Sequence, residues 1–241
     1  MPTAHAFEQI IVANIDQVVP VFAAADPTPK WNMLDRYLIS AESSRLPSLI
    51  VITKLDLVSA TKGDYQDDLK DVIEEYRRIG YRVIVTSTVT SQGLEELKDA
   101  LHDRVTVFVG KSGVGKTSLL NALQPGLGLI VKEISKSTGK GRHTTSYLEM
   151  FPLENGGAIV DTPGVREFGP WNVYGDDLVY CFPEMRGYVG KCKFGLDCRH
   201  EKEPECVIRE AVLKGEISQR RYKVYLGFRD ETYLPSGHRD I

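Results

Sequence analysis

The feature that most constrains this chain is the stretch Val105–Leu123, whose sequence is VTVFVGKSGVGKTSLLNAL. An apolar, β-branched run leads directly into the loop GKSGVGKT and then into apolar residues at helical spacing, which is the strand, loop and helix of a P-loop. Glycines let successive backbone N–H groups point inward at a phosphate chain, and the positive end of the helix dipole faces the same anion. A glycine-rich turn without a ligand is the alternative, but the flanking strand and helix favour a phosphate site.

Two P-loop side chains have distinct expected roles. Lys116 can reach the β- and γ-phosphates, and the Thr117 hydroxyl can bind Mg²⁺. The residues predicted to surround the phosphates are Gly110, Lys111, Ser112, Gly113, Val114, Gly115, Lys116, Thr117 and Ser118.

A second motif for the phosphates is Asp161-Thr162-Pro163-Gly164, which follows the apolar run Gly157–Val160. Asp161 is predicted to hold Mg²⁺ through a water molecule, and the N–H of Gly164 is predicted to meet the γ-phosphate. An Asp before Pro-Gly is by itself commonly only a turn. The P-loop upstream favours the nucleotide role.

A motif for base recognition is Thr53-Lys54-Leu55-Asp56, at the end of an apolar run. The Asp56 carboxylate can accept from guanine N1–H and N2–H₂ together, which adenine does not offer, and the Lys54 stem can lie over the base. Ser87 follows the next predicted strand and could contact guanine O6. A polar loop without a ligand is the alternative, but the carboxyl edge of a parallel strand is where nucleotides bind in open α/β sheets.

The hydrophobic pattern predicts an α/β fold with a mostly parallel sheet, because strands alternate with amphipathic helices. In the first predicted strand, Gln17–Ala24, Pro20 favours an edge position or a bulge. Tyr147–Leu153 and Gly157–Val160 are predicted to form a hairpin. Further strands are predicted at Leu49–Thr53, Arg82–Thr86 and the P-loop strand.

Composition excludes some classes of protein. The 241 residues are 42% hydrophobic and 26% charged, and no apolar run approaches the roughly 20 residues of a membrane span. The N-terminus has no basic stretch followed by an apolar one, so no signal peptide and a cytoplasmic location are expected. Residues 186–223 carry ten Lys and Arg against six Asp and Glu. This mild excess could favour nucleic acid, although surface charge of this size is more often only solvated.

A cysteine and histidine cluster predicts a metal site near the C-terminus. Three thiolates and an imidazole satisfy tetrahedral Zn²⁺, and four protein ligands make the site closed and structural. The predicted ligands are Cys192, Cys198, His200 and Cys206. Reduced core thiols are the alternative, which the flanking charges of Lys191, Arg199 and Glu205 disfavour. Cys181 is predicted to be a core thiol.

The order of these motifs is unusual, because the base motif precedes the P-loop. In this order the chain resembles the circularly permuted GTPases, and within them the ribosome small-subunit-dependent GTPase A family. The resemblance covers about residue 10 to the end, with Thr53 where the family usually has Asn. The family's oligonucleotide-binding β-barrel has no counterpart in residues 1–9. The matching segments are TKLD at 53–56, GKSGVGKTS at 110–118, GRHTT at 141–145, DTPGVREF at 161–168 and the cysteine cluster, whose first spacing is one residue longer.

The resemblance implies a domain organisation and an activity. A circularly permuted GTPase domain is expected at 10–170, after a short segment 1–9, and a mainly helical zinc-binding domain at 171–241. The activity would be hydrolysis of GTP to GDP with Mg²⁺ in late maturation of the small (30S) ribosomal subunit, with 16S rRNA as a partner and the chain a monomer. A P-loop ATPase or kinase, or a zinc-containing RNA-binding module with a nucleotide switch, are the alternatives.

The remaining site residues lie in the segment GRHTT, within a predicted loop at 134–145. Thr144 and Thr145 are expected at the nucleotide, with Thr144 joining Thr117 on Mg²⁺. Ras-type enzymes orient the attacking water with a Gln after Asp-x-x-Gly, but Val165 in that position cannot form a hydrogen bond. His143 is therefore the predicted catalytic residue. Contact of His143 with rRNA phosphates is the alternative.

Overall fold

The structure is a computed structural model that describes residues 14–59, 64–129, 149–154, 156–161 and 177–232. Among them, no helix combines the length and apolar character needed to span a bilayer. The strands are β1 (Gln17–Ala23), β2 (Leu49–Thr53), β3 (Arg82–Val85), β4 (Val105–Val109), β5 (Glu149–Pro152) and β6 (Ala158–Asp161). The helices are α1 (Trp31–Ser43), α2 (Leu55–Ser59), α3 (Asp64–Ile79), α4 (Leu94–Leu101), α5 (Lys116–Leu123), α6 (Pro183–Arg186), α7 (Val207–Leu213) and α8 (Gln219–Thr232).

The strands form one sheet in the order β3-β2-β1-β4-β6-β5. All neighbouring pairs are parallel except β5 and β6. Every residue of β1 and β2 is buried, as expected for parallel strands with helices on both faces. Alternate strand residues belong to two apolar clusters, one packed with α1 and α3 and the other with α4 and α5. The predicted α/β class and mostly parallel sheet are confirmed.

The prediction that Pro20 marks an edge strand or a bulge is wrong, because β1 lies in the middle of the sheet between β2 and β4. Its ladder with β2 is interrupted between the Val18–Ser48 bridge and the Val21–Val51 pair, without a change of register. Pro20 lies in this gap. A proline has no N–H to donate, and the sheet accommodates it by losing local pairing on one side only.

The predicted hairpin is confirmed by the antiparallel pairing of β5 with β6, in which Phe151 lies opposite Ile159. In the C-terminal part, the described residues 177–232 form α6, α7, α8 and 3₁₀ turns around a third apolar cluster that includes Phe182, Met185 and Tyr225. Ile39 of α1 belongs to the same cluster, so this part packs against the sheet domain. The predicted domain boundary near residue 171 lies outside the described residues and stays a prediction.

Candidate nucleotide site and metal centre

The P-loop connects the end of β4 to the start of α5, as its sequence predicts. Gly110 passes so close to β1 that a Cβ there would lie 2.4 Å from the carbonyl oxygen of Val21. Gly115 has a φ of +97°, in the left-handed region that favours glycine. These two glycines allow the chain to curl between the strand and the N-terminus of α5, where backbone N–H groups can meet an anion.

Lys116 is buried at the base of this loop. Its Nζ donates to the carbonyl oxygens of Gly110, at 2.7 Å, and of Lys111, at 3.2 Å. Burial lowers the pKa of Lys116, and the negative charge of Asp161 opposes this shift. Asp161 ends β6 opposite Phe108 of β4. Lys116, which is predicted to bind the phosphates, and Asp161, which is predicted to hold Mg²⁺ through water, therefore lie at the same edge of the sheet.

Thr53 ends β2 at the same carboxyl edge and is buried. Its Oγ1 lies within hydrogen-bonding distance of two carbonyl oxygens, those of Phe22 in β1 and Val114 in the P-loop. The base motif and the P-loop are thus in direct contact although they are far apart in the sequence and occur in reversed order.

Asp56 lies in the first turn of α2, beside the loop that follows β3. The Oγ of Ser87 lies 2.5 Å from Asp56 Oδ1. The same Oγ accepts from the backbone N–H groups of Val89 and Thr90, each at 3.2 Å. Because both acceptor positions of the hydroxyl are used, its single hydrogen points to Asp56. The arrangement orients the carboxylate that is predicted to read the base.

Lys54 runs from the base motif along the P-loop towards the loop that joins β1 to α1. Its backbone is in the left-handed region, with a φ of +59°. Its Cε lies 3.9 Å from where a Cβ on Gly115 would be. Its ammonium group donates to the carbonyl oxygen of Asp26. Contact of the Lys54 stem with a base stays a prediction.

The four predicted metal ligands converge in the C-terminal part. Cys192, Cys198, His200 and Cys206 are all buried, and their ligand atoms lie within 4.8 Å of one another. The Sγ atoms of Cys192 and Cys206 are 3.8 Å apart. His200 Nδ1 lies 3.5 Å and 3.4 Å from these two sulfurs. Around a tetrahedral ion with metal–sulfur bonds of about 2.3 Å, two sulfurs lie about 3.8 Å apart. The cluster can therefore hold one metal ion.

Without a metal ion, burial favours the neutral forms of Cys198, Cys206 and His200. Burial raises the pKa of Cys198 to about 12 and also raises the pKa of Cys206. Burial lowers the pKa of His200, which favours the neutral imidazole that a metal requires. Thiolates become stable in such a site only when a positive ion lies among them.

Residues of α8 hold the backbone of the cluster. The Tyr222 hydroxyl donates to the carbonyl oxygen of His200, and Arg229 donates to that of Arg199. Cys181 is a buried thiol outside the cluster, as predicted, and burial raises its pKa to about 11.

Comparison with known proteins decides the family. The family model described as RsgA GTPase matches residues 1–171. The chain belongs to the RsgA GTPase family. Among curated relatives, "Small ribosomal subunit biogenesis GTPase RsgA" of Gemmatimonas aurantiaca is 46% identical over 231 residues, covering 96% of this chain and 73% of that protein. The protein of the same name from Serratia proteamaculans is 43% identical, covering 89% of this chain and 61% of its own length.

Two solved structures support the same family. The crystal structure of YjeQ from Thermotoga maritima matches with a TM-score of 0.76 and 33% identity, over 92% of this chain and 72% of that one. A structure described as YloQ, a circularly permuted GTPase, matches with a TM-score of 0.73 and 36% identity, over 91% of this chain and 68% of that one. The resemblance noted from the motifs is confirmed.

Four predicted site residues of this RsgA-family chain lie outside the described residues, and their roles stay predictions: His143, Thr144, Thr145 and Gly164. Sequence reasoning missed how Thr53 contacts Val114 and how Ser87 holds Asp56. The signal for both was available in part, since Thr53 ends one predicted strand of the parallel sheet and Ser87 directly follows the next.

Proposed function

We propose that this protein is a magnesium-dependent GTP hydrolase that acts on the small ribosomal subunit. The observation that carries the proposal is the contact of Thr53 Oγ1 with the carbonyl oxygen of Val114. This contact joins the base motif to the P-loop, so that one ligand can meet both. A P-loop accepts any nucleoside triphosphate, and only the adjoining base site distinguishes guanine from adenine.

Each part of the site has a separate role in this proposal. The Asp56 carboxylate, oriented by Ser87, accepts from guanine N1–H and N2–H₂. The backbone N–H groups of the P-loop and the Lys116 ammonium bind the phosphates. Thr117 and Asp161 would hold Mg²⁺, directly and through water respectively. The ion would neutralise charge that develops on the β- and γ-phosphate oxygens.

In this proposal the cysteine cluster binds Zn²⁺, and the ion has a structural role. Three thiolates and one imidazole complete a tetrahedral shell, which leaves no open position for a substrate or water. Its binding free energy contributes to folding of the C-terminal part.

The proposed partner is the small (30S) ribosomal subunit in late maturation, with 16S rRNA. Support comes from relatives that are named small ribosomal subunit biogenesis GTPases and are 43–46% identical to this chain. This chain spans 61% of the length of one and 73% of the other, so a whole relative can carry contacts that lie outside the matched part. A protein acting on ribosomal subunits works in the cytoplasm, and we propose that location and a monomeric state.

Phosphate release from GTP, measured with and without purified 30S subunits, tests the proposal. We expect slow turnover by the free protein and a rise on the order of 10-fold or more with subunits, since partner-stimulated GTPases gain at least this much. Lys116→Ala is the matched control for contaminating GTPase activity. Equal hydrolysis of ATP would support the P-loop ATPase alternative. Tight subunit binding without turnover would support the RNA-binding switch.

A further inference from the structure

A buried cluster of charges joins the C-terminal part to the sheet domain. Asp35 of α1 is fully buried and accepts from the Tyr76 hydroxyl at 2.8 Å and from Nη1 of Arg220 and Arg221, each at 2.7 Å. Arg221 is also fully buried, and its Nε and Nη2 donate to Glu184 of α6. Helices α1 and α3 of the sheet domain and helices α6 and α8 of the C-terminal part therefore contribute to one polar cluster.

Among the described residues, the arginines that compensate Asp35 come only from the C-terminal part. Arg220 bridges further to Glu75 of α3 at 3.1 Å, and its guanidinium lies 5.2 Å from the centre of the Tyr76 ring. Separation of the two parts would leave Asp35 without either arginine in the sheet domain. Removing one partner of a buried ion pair is strongly unfavourable, so these pairs hold α1 against the C-terminal part.

The opposite end of α1 adjoins the nucleotide site. Trp31, the first residue of α1, stacks on Phe22 with ring centres 6.4 Å apart. The carbonyl oxygen of Phe22 contacts the Thr53 hydroxyl. The loop just before α1 supplies the Asp26 carbonyl that accepts from Lys54.

The same loop lies beside the P-loop. Four of its residues share a small cavity with Lys111 and Val114 of the P-loop: Pro27, Thr28, Pro29 and Lys30. The loop that precedes α1 thus bonds to the base motif through Asp26 and lines a cavity with the P-loop. Helix α1 itself has 13 residues, spans roughly 20 Å at about 1.5 Å per residue, and begins at this loop. Further along it contacts the C-terminal part.

We propose that docking of the C-terminal part on α1 controls the release of guanine nucleotide. The two states are the docked form, in which Asp35 is paired with Arg220 and Arg221, and a form in which these pairs are loosened. Docking fixes α1, and α1 fixes the loop that positions Lys54 and adjoins Val114. The proposal rests on the proposed function, since it assumes guanine nucleotide at this site. At an unchanged association rate, slower release raises the nucleotide affinity, and by linkage nucleotide in turn stabilises docking.

The test uses Arg220→Gln, which removes pairs to Asp35 and Glu75 from a partly exposed side chain and leaves Arg221 in place. The matched control is Arg82→Gln, which removes the exposed pair to Glu96 at the start of β3. Dissociation of a fluorescent GDP analogue is measured on the full chain without ribosomes. We expect release to accelerate roughly threefold to thirtyfold in Arg220→Gln, the range of couplings through packed elements, and to stay unchanged in Arg82→Gln.

Hydrogen exchange of α8 supplies a second readout, because it reports docking of the C-terminal part. In the wild-type chain, saturating GDP should slow exchange in α8. If Arg220→Gln speeds exchange in α8 but GDP release is unchanged, the proposal is wrong. It is also wrong if the wild type binds GDP and exchange in α8 does not change. A wild type that binds no guanine nucleotide would instead overturn the proposed function itself.

Discussion

The hydroxyl oxygen of Ser87 lies 2.5 Å from Oδ1 of Asp56 and accepts two backbone N–H groups on its other side. The hydroxyl hydrogen of Ser87 is therefore donated to Asp56. The sequence suggested that Ser87 contacts guanine O6. Its geometry favours a role in orienting the Asp56 carboxylate.

Ser87→Ala should therefore weaken GDP binding by roughly tenfold, since a hydrogen bond to a charged group is worth about 1.5–3 kcal/mol. Thr90→Ala is the matched control, because Thr90 contributes its backbone N–H and keeps it. Calorimetric titration with GDP measures both variants. Unchanged affinity in Ser87→Ala would mean that Asp56 is held by other groups.

Thr53→Val should weaken GDP binding and lower stability, because it leaves the carbonyl oxygens of Phe22 and Val114 without the hydroxyl. Leaving a buried acceptor unsatisfied costs about 1–3 kcal/mol. Thr53→Ser keeps the hydroxyl and should restore binding. Thermal unfolding and GDP titration of the two variants separate lost stability from lost contact with the P-loop. Equal GDP affinity in both variants would contradict a role for the hydroxyl.

Features of the site that depend on residues close together in the sequence could be predicted, and features that depend on residues far apart in the sequence could not. The P-loop is a local pattern of strand, glycines and helix, and its ends fall where the sequence places them. Asp35 and Arg221 are different. They are 186 positions apart, and Arg221 sits in a mildly basic segment whose composition suits a nucleic-acid surface and is more typical of a solvated one. Only the docking of α8 on α1 makes it fully buried.

Pro20 shows where a local rule about proline in strands does not hold. Proline in a strand favours an edge because it lacks an N–H. In a parallel strand the hydrogen-bonding groups alternate between the two neighbours, so Pro20 interrupts pairing with β2 while it stays in register with Val109 of β4. A sequence pattern does not show which neighbour the missing N–H would have faced.

Loss of a metal ligand should unfold the C-terminal part. Cys198→Ala is expected to reduce bound zinc below one ion per chain and to add an early melting transition, since the metal's binding free energy is folding free energy there. Cys181→Ala is the matched control, because Cys181 is a buried thiol outside the cluster. Metal analysis with calorimetry distinguishes them. One zinc per chain and an unchanged melting profile in Cys198→Ala would refute the assignment.

His143→Ala should abolish most GTP hydrolysis stimulated by small subunits while GTP affinity stays within a few-fold. The reason is that Val165 cannot orient a water, and positioning or acid–base roles of a side chain are worth about 10²–10⁴-fold. Turnover and subunit binding are measured on the same variant. A loss of turnover explained wholly by weaker subunit binding would assign His143 to RNA contact.

The central claim is that Asp56 reads guanine in a site where the base motif precedes the P-loop. Asp56→Asn tests it most directly, by titration with GDP and with xanthosine diphosphate. The amide offers a donor where guanine needs an acceptor, whereas xanthine presents a carbonyl at the same position. We expect GDP affinity to fall roughly 10- to 100-fold, a paired contact to a base being worth about 1–3 kcal/mol, and xanthosine diphosphate affinity to rise. Unchanged GDP affinity in Asp56→Asn would contradict the account.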